Sequence, residues 1–134
     1  MSDFSFTTEI QIRYRDLDTQ NHVNNAVYGT YLEQARAAYV EHVLDKALDQ
    51  CPVVLAHISI DYRAPVTLAD ESVSVAVRVL DLGESSIPME YEIRTGDGVA
   101  ATAESVMVTI DGNGDSRAIP EDWRSRIETY APQN

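Results

Sequence analysis

The sequence has almost no cysteine: Cys51 is the only one among 134 residues. A lone cysteine excludes an internal disulfide framework and a cysteine-based zinc site. Cys51 also stands beside Pro52, which is more typical of a buried or loop position than of a catalytic thiol. Thiol chemistry is therefore not expected.

Long hydrophobic runs are absent as well. No apolar stretch reaches the roughly 18 residues that a membrane-spanning helix needs, and no signal-peptide pattern precedes the first predicted strand. Hydrophobic residues nevertheless make up 44% of the chain, which argues against wholesale disorder. These features predict one domain, residues 1–134, with its own core and a cytoplasmic location.

Basic side chains are scarce. Lys46 is the only lysine, and ten basic residues face 22 acidic ones, giving a formal net charge of −12. Without a clustered basic patch, neither nucleic acid nor an anionic membrane surface is an expected partner. Because the acids are spread along the chain, we expect adaptation to high salt, which screens self-repulsion. Loss of folding in low-salt buffer would support this; the alternative is an acidic protein without that adaptation.

Four common catalytic motifs are missing: the P-loop, G-x-G-x-x-G, G-x-S-x-G and H-E-x-x-H. Phosphoryl transfer, nicotinamide chemistry and serine hydrolysis therefore find no support. Any chemistry has to come from other polar residues.

Periodicity predicts one strand, one long helix and four further strands. The first strand covers residues 6–14, where Ile10, Ile12 and Tyr14 alternate with polar residues. From Ala26 to about Leu44, apolar residues recur at steps of three and four, which is typical of a helix with one buried face. The remaining predicted elements are strands at 53–62, 71–80, 86–95 and 99–110, and a short helix at about 120–130. This order predicts an α+β fold in which an antiparallel sheet wraps one helix.

Two local signals refine the strands. Pro88 is typical of an edge strand or of a strand start, because proline cannot donate to a sheet. Asp97-Gly98 is a strong hairpin signal between the last two strands.

The polar loop, residues 15–25, holds the main candidates for chemistry. A helix that begins just after such a loop offers free N–H groups and a positive dipole end, where a carbonyl oxygen can be held. Asp18, just upstream, suits a nucleophile or general base towards that carbonyl; the alternative is that Asp16 or Asp18 merely caps a turn. Asn24 or Asn25 suits the N-cap, and the Asn25 N–H is a natural oxyanion donor.

Other nearby residues stay open between chemistry and structure. His22 suits contact with a substrate carbonyl or orientation of Asp18, and a packed loop histidine is an equal alternative. Asn24 and Tyr28 are candidates for substrate contact, although a core position is favoured for Tyr28. Glu33 suits either the acyl end of a pocket or an ion pair with Arg36.

One segment has a specific family resemblance. The run RYRDLDTQNHVNNAVYGTYLEQAR, residues 13–36, resembles the signature of hot-dog-fold acyl-CoA thioesterases of the 4-hydroxybenzoyl-CoA thioesterase type. That pattern has a strand, D-x-D, a short loop, H-V-N-N-x-x-Y and a helix with L/F-E-x-A-R. The run DYRAPVTLADESVSVAVRV, residues 61–79, resembles the second and third strands of the family, and the resemblance extends to about residue 125.

The resemblance implies a fold, a site and an assembly. The expected fold is a hot-dog fold, a long helix wrapped by an antiparallel sheet of five or more strands. It implies that Asp18 is the catalytic carboxylate, that the amide at or near Asn25 polarises the thioester carbonyl, and that Glu33 lies near the acyl pocket. It also implies homodimers or homotetramers with active sites at the subunit interface.

Two positions depart from the family pattern. Asn21 stands where the family often has glycine, and asparagine tolerates left-handed geometry better than most residues. The turn DLGESS lacks the basic residues with which some members grip the CoA phosphates. That role would then fall to Arg63, Arg78 or Arg94.

The leading hypothesis is hydrolysis of an acyl-CoA thioester to free acid and CoA, without a metal or redox cofactor. Asp16, Asp18 and His22 are the one acid–histidine trio weighed as a metal site, and their spacing fits no zinc pattern well. The alternatives are a hot-dog enoyl-thioester hydratase with Asp18 and His22 as acid and base, and a non-catalytic acyl-thioester binding protein.

Overall fold

The chain folds into a five-stranded antiparallel sheet with a long helix packed on it. The computed structural model describes residues 4–46 and 52–130. Its elements are β1 (Phe6–Gln11), α1 (Asn25–Leu44), β2 (Val53–Tyr62), β3 (Ser72–Val79), β4 (Ser86–Thr95), β5 (Gly98–Thr109) and α2 (Glu121–Tyr130). The predicted α+β hot-dog architecture is confirmed, with strands and helices close to their predicted positions. Cys51 lies outside the described residues, so its predicted loop position stays a prediction.

The sheet order is β1-β3-β4-β5-β2, and every neighbouring pair is antiparallel. β1 and β2, which α1 joins along the chain, are therefore the two edge strands. α1 packs against β1, β3 and α2. This arrangement places the start of α1 and the end of β2 at one site, as described below.

Alternating side chains make the core. On β3, Val73, Val75 and Val77 are buried, and on α1, Leu32 and Ala35 are fully buried. A small residue such as Ala35 lets the helix and sheet approach closely, and each fully buried valine or leucine side chain contributes about 1.5–3 kcal/mol. The apolar residues that recur with the helical period of 3.6 and those that recur with the strand period of two thus pack into one core.

Two local predictions need correction. Tyr14 does not extend the first strand, because β1 ends at Gln11 and Tyr14 begins a short 3₁₀ turn, with its side chain 80% exposed. Of the two alternatives for Pro88, the edge strand is wrong, because β4 lies between β3 and β5, whereas the strand start fits, because Pro88 is the third residue of β4. The Pro88 C=O accepts from the Leu80 N–H at 2.8 Å, just past the end of β3. In an antiparallel strand, the N–H and C=O of one residue point towards the same neighbouring strand. Pro88 therefore lacks its N–H on the side of β3, just beyond Val79, the last residue of β3 that pairs with β4.

The hairpin signal is confirmed, with a small shift. Thr95 pairs with Gly98, so Gly96 and Asp97 form the turn. Gly98 has φ +125°, a conformation that side-chain-bearing residues rarely adopt. Glycine at this position is therefore required by the backbone.

β2 is apolar but exposed. Val54, Leu55 and Ile58 are 46%, 45% and 38% exposed, although no pattern in the sequence placed them at an edge. None of the helices in the described parts of the chain is long and apolar enough to cross a membrane.

Candidate active site

The polar loop is organised by the side chain of Asp18. Asp18 Oδ1 accepts from the N–H of Gln20 at 2.8 Å and of His22 at 3.2 Å. The Asp18 N–H donates to the His22 C=O at 2.7 Å. Asn21, at the tip, has φ +63°, in the left-handed region that asparagine tolerates. The loop therefore closes with asparagine where the family often has glycine.

The other oxygen of Asp18 is not held by the loop. Asp18 Oδ2 makes no hydrogen bond within residues 4–46 and 52–130, and the side chain is half-buried. Asp18 lines a cavity of about 280 Å³. The walls of this cavity are Asp18, His22, Val23, Asn25, Tyr28, Tyr62, Arg63, Ala64 and Pro65. One carboxylate oxygen is thus fixed by the loop while the other is unused beside a cavity.

Asp16 has a different environment. It is 9% exposed, and its Oδ2 accepts from the Tyr31 hydroxyl at 2.8 Å and from the Arg13 N–H at 2.9 Å. Asp16 is absent from the cavity wall. It ties the polar loop to α1, which is a structural role.

Asn24 is the N-cap of α1. Its side chain accepts from the Ala26 N–H at 2.8 Å, and its C=O accepts from the Val27 N–H at 2.9 Å. Asn25 is the first helical residue, and its own N–H has no hydrogen-bond partner among the described residues. A free N–H at the positive end of a 20-residue helix, on the wall of the same cavity as Asp18, can receive a developing oxyanion.

His22 and Tyr28 both line this cavity. The His22 backbone holds Asp18, whereas its imidazole is exposed and makes no hydrogen bond within the described parts of the chain. Tyr28 is 3% exposed, and burial, followed by the neighbouring Tyr62, raises its pKa, so this phenol stays neutral at physiological pH. Tyr28 thus belongs to both the core and the cavity wall.

Glu33 is not brought to this cavity within one chain. It is exposed on α1 and is not among the cavity-lining residues. The alternative ion pair with Arg36 is also not formed: Arg36 is 5% exposed, and its Nη1 donates to the Tyr91 hydroxyl at 3.4 Å. That hydroxyl also lies 2.6 Å from Ser105 Oγ. Arg36 therefore points into the core and away from Glu33.

The three arginines considered for binding the CoA phosphates lie in different environments. Arg63 is exposed on the cavity wall. Arg78 and Arg94 form ion pairs with Glu90 and Glu92 on the sheet. Of the three, only Arg63 lies beside the candidate site.

Sequence reasoning missed Tyr62 as a part of the wall. Its hydroxyl donates to the Asn25 C=O at 3.0 Å. Its ring lies edge-on to that of Tyr28, with centroids 4.9 Å apart. The partners are 37 and 34 residues away along the chain, so no local pattern could have predicted these contacts.

No group of three or more histidine, cysteine, aspartate or glutamate side chains in the described residues is placed to hold a metal ion. The trio of Asp16, Asp18 and His22 is divided by the loop, with Asp16 turned to Tyr31 and Asp18 turned to the cavity.

Comparison with known proteins now fixes the family. The model of the thioesterase-like superfamily matches residues 12–127. The chain belongs to this superfamily. Thioester hydrolysis, the reaction class predicted from residues 13–36, is confirmed by that membership. A comparison with curated proteins gives no significant match.

Three solved structures, two of them named thioesterases, share the whole fold. A thioesterase from Thermus thermophilus, solved in complex with coenzyme A and zinc, is 35% identical, with a TM-score of 0.87 over 97% of each chain. A 1,4-dihydroxy-2-naphthoyl-CoA thioesterase from Synechocystis is 21% identical, with a TM-score of 0.83, covering 91% of this chain and 94% of that one. A Staphylococcus aureus protein solved in complex with CoA is 18% identical, with a TM-score of 0.85, covering 96% and 87%. The last two likenesses show the fold.

Proposed function

We propose that this thioesterase hydrolyses acyl-CoA, with Asp18 as nucleophile or general base and the Asn25 N–H as oxyanion donor. The observation that carries the proposal is that Asp18 and Asn25 line one cavity, while Asp18 Oδ2 and the Asn25 N–H have no hydrogen-bond partner in the described residues. A carboxylate and an amide donor beside one space are what attack on a carbonyl requires.

The mechanism follows from these two groups. The thioester carbonyl oxygen points at the Asn25 N–H and the N-terminus of α1. In the general-base route, Asp18 takes a proton from water, the hydroxide adds to the carbonyl carbon, and the oxyanion collapses with cleavage of the C–S bond. The CoA thiolate then takes that proton back from Asp18. In the covalent route, Asp18 adds to the carbonyl carbon, and the oxyanion collapses to an anhydride as the CoA thiolate leaves and takes a proton from solvent; water then hydrolyses the anhydride to the free acid and Asp18. Loss of an oxyanion donor typically costs about 3 kcal/mol in the transition state.

Coenzyme A is supported as the carrier by two findings. The Thermus thermophilus thioesterase, 35% identical, was solved with coenzyme A. In this chain, the exposed Arg63 at the cavity gives a cation that can meet a CoA phosphate.

A second copy of the chain is the expected partner, as a homodimer or a homotetramer with active sites at the interface. The exposed apolar residues Val54, Leu55 and Ile58 on the edge strand β2 support this, because a free apolar strand edge is a template for pairing. Glu33, exposed in one chain, could reach an acyl pocket only in such an assembly. The cytoplasmic location and the adaptation to high salt stay predictions.

Thiol release tests the function. Wild-type enzyme and Asp18→Asn are assayed with short, long and aromatic acyl-CoAs in low and high KCl. Asparagine keeps the Oδ1 acceptor of the loop but removes the base, so we expect kcat/KM to fall about 10²- to 10⁴-fold. Asp122→Asn, an exposed acid on α2, is the matched control and should keep wild-type activity.

The outcomes separate the alternatives. Thiol release that Asp18→Asn leaves unchanged would remove Asp18 from the mechanism. Hydration of crotonyl-CoA without thiol release would favour the hydratase. Binding of acyl-CoA with neither reaction would favour a binding protein.

A further inference from the structure

We propose that Tyr62 is a positioning residue that aims the Asn25 N–H at the substrate carbonyl. This inference rests on the proposed function, since it assigns a role to a residue that acts on the oxyanion donor. Tyr62 ends β2, whereas Asn25 begins α1, and the two elements meet at the cavity. The Tyr62 hydroxyl donates to the Asn25 C=O at 3.0 Å.

The bond adds a side-chain tie to a helix end whose preceding chain backbone bonds already hold, since the Val23 N–H donates to the Val66 C=O at 2.7 Å. The Asn24 N–H donates to the Asp16 C=O at 2.8 Å, which ties the chain just before Asn25 to the polar loop. The Asn24 side chain caps the Ala26 N–H, which orders the turn locally. The Tyr62 bond connects Asn25 itself to the end of β2.

The peptide group that carries the Asn25 N–H is held by the Val27 N–H, which donates to the Asn24 C=O at 2.9 Å. The next peptide group is held on both sides: the Ala26 N–H donates to Asn24 Oδ1, and the Asn25 C=O accepts from the Tyr62 hydroxyl. An oxyanion donor has to lie about 2.7–3.1 Å from the place where the charge develops. A small rotation of the first turn would therefore weaken the hydrogen bond to the oxyanion of the transition state more than the hydrogen bond to the carbonyl oxygen of the ground state.

The Tyr62 ring fixes the hydroxyl in turn. It contacts the buried Tyr28 ring edge-on at 4.9 Å, and Tyr28 is 3% exposed. Tyr62 itself is 47% exposed, so its hydroxyl could be solvated, yet it is directed at the Asn25 C=O. Through these two contacts, the exposed Tyr62 side chain connects the end of β2 to the start of α1.

Tyr62→Phe is the test, because it removes the hydrogen bond and keeps the ring contact. We expect kcat for a well-hydrolysed acyl-CoA to fall about three- to tenfold, the range for loss of one neutral hydrogen bond. KM and the dissociation constant of free CoA, which has no acyl carbonyl, should stay within about twofold, since only an interaction realised in the transition state is lost. The shape of the kcat–pH profile should not change, because Tyr62 moves no proton.

Tyr130→Phe is the matched control. Tyr130 also meets another tyrosine edge-on, Tyr39 at 6.0 Å, but on α2 and away from the cavity wall. It should keep the wild-type kcat.

Each other outcome counts against the proposal. A wild-type kcat for Tyr62→Phe would show that the hydrogen bond does not aim the amide. An equal loss of free-CoA affinity would show a general binding or folding role, and loss of one limb of the pH profile would make Tyr62 a proton donor. If the wild-type enzyme releases no thiol, the proposed function fails and this role falls with it; if it turns over and Tyr62→Phe matches it, only the positioning role fails.

Discussion

At the scale of single residues, the clearest contrast is between Asp16 and Asp18. Both are carboxylates of one D-x-D pattern, two residues apart. Asp16 is buried and uses its Oδ2 to accept from the Tyr31 hydroxyl and the Arg13 N–H, whereas Asp18 keeps an oxygen for the cavity. The same residue type thus stabilises the fold at one position and suits catalysis at the next.

Substitution separates the two roles. Asp16→Asn should lower the free energy of unfolding by about 1.5–3 kcal/mol, the value of hydrogen bonds to a charged group, because both bonds to Oδ2 lose their charge. Urea unfolding followed by circular dichroism measures this. Asp18→Asn should lose less stability than Asp16→Asn, because both bonds to Asp18 Oδ1 are exposed to solvent. Equal stability of wild type and Asp16→Asn would contradict the structural role of Asp16.

Sequence reasoning reached one part of the site and missed another. Asp18, Asn24 and Asn25 lie within eight residues, so a local pattern and the capping rules were enough to bring them together. Tyr62 comes from a distant strand, so no local pattern includes it. Which carboxylate oxygen of Asp18 accepts the loop hydrogen bonds depends on loop geometry, which residue types do not encode.

At the scale of elements, α1 has a favourable capping residue at its start and a less favourable one at its end, where the Asp45 N–H still donates to the Glu41 C=O at 3.1 Å. Asn24 supplies the N-cap bond, whereas Asp45 takes the C-cap position with φ +57°, in the left-handed region. A left-handed aspartate is tolerated less well than glycine or asparagine. Its negative charge also lies at the negative end of the helix dipole.

Asp45→Asn should therefore stabilise the chain. Removal of a charge that opposes the dipole, with a side chain suited to the left-handed conformation, predicts a gain of about 0.5–1 kcal/mol. The midpoint of urea unfolding measures it, with activity unchanged. Asp45→Glu keeps the charge and should give no gain; a gain of equal size in both variants would exclude this explanation.

The elements themselves were predictable because each has its own period, but their order in the sheet was not. β4 and β5 are joined by a two-residue turn, which the sequence signals directly. β2 pairs with β5 instead of with its chain neighbour β3, through contacts 39–56 residues apart. Pairings of that range depend on the whole core, and so the edge position of β2 appeared only in the structure.

At the scale of the whole molecule, buried phenols make the fold sensitive to alkali. Burial is the first cause that raises the pKa of four tyrosines: Tyr28, Tyr31, Tyr39 and Tyr91. In the unfolded chain a tyrosine ionises near pH 10. Below that pH both states are protonated and the stability of the fold is fully present.

Above about pH 10 the unfolded chain releases protons that the folded chain keeps, so stability falls as pH rises through the folded pKa values. Each of the four groups lowers the free energy of unfolding by up to about 1.4 kcal/mol per pH unit in this range. We expect the absorbance of these four tyrosinates at 295 nm to appear together with the loss of circular dichroism. Their ionisation in a chain that keeps its native spectrum would contradict this prediction.

The position of β2 also has a consequence for synthesis. The chain is made from its N-terminus, so Val53 and Tyr62 leave the ribosome before their partners Thr109 and Ala101 exist. At about 5–20 residues per second, the wait is roughly 2–11 s. During that time an apolar strand has no partner, whereas β4 and β5 pair through a two-residue turn almost as they emerge. β1 also waits for β3, from Phe6 to Val77, but its sequence FTTEIQ is more polar. Chaperone capture and premature pairing between two nascent copies should both begin at β2.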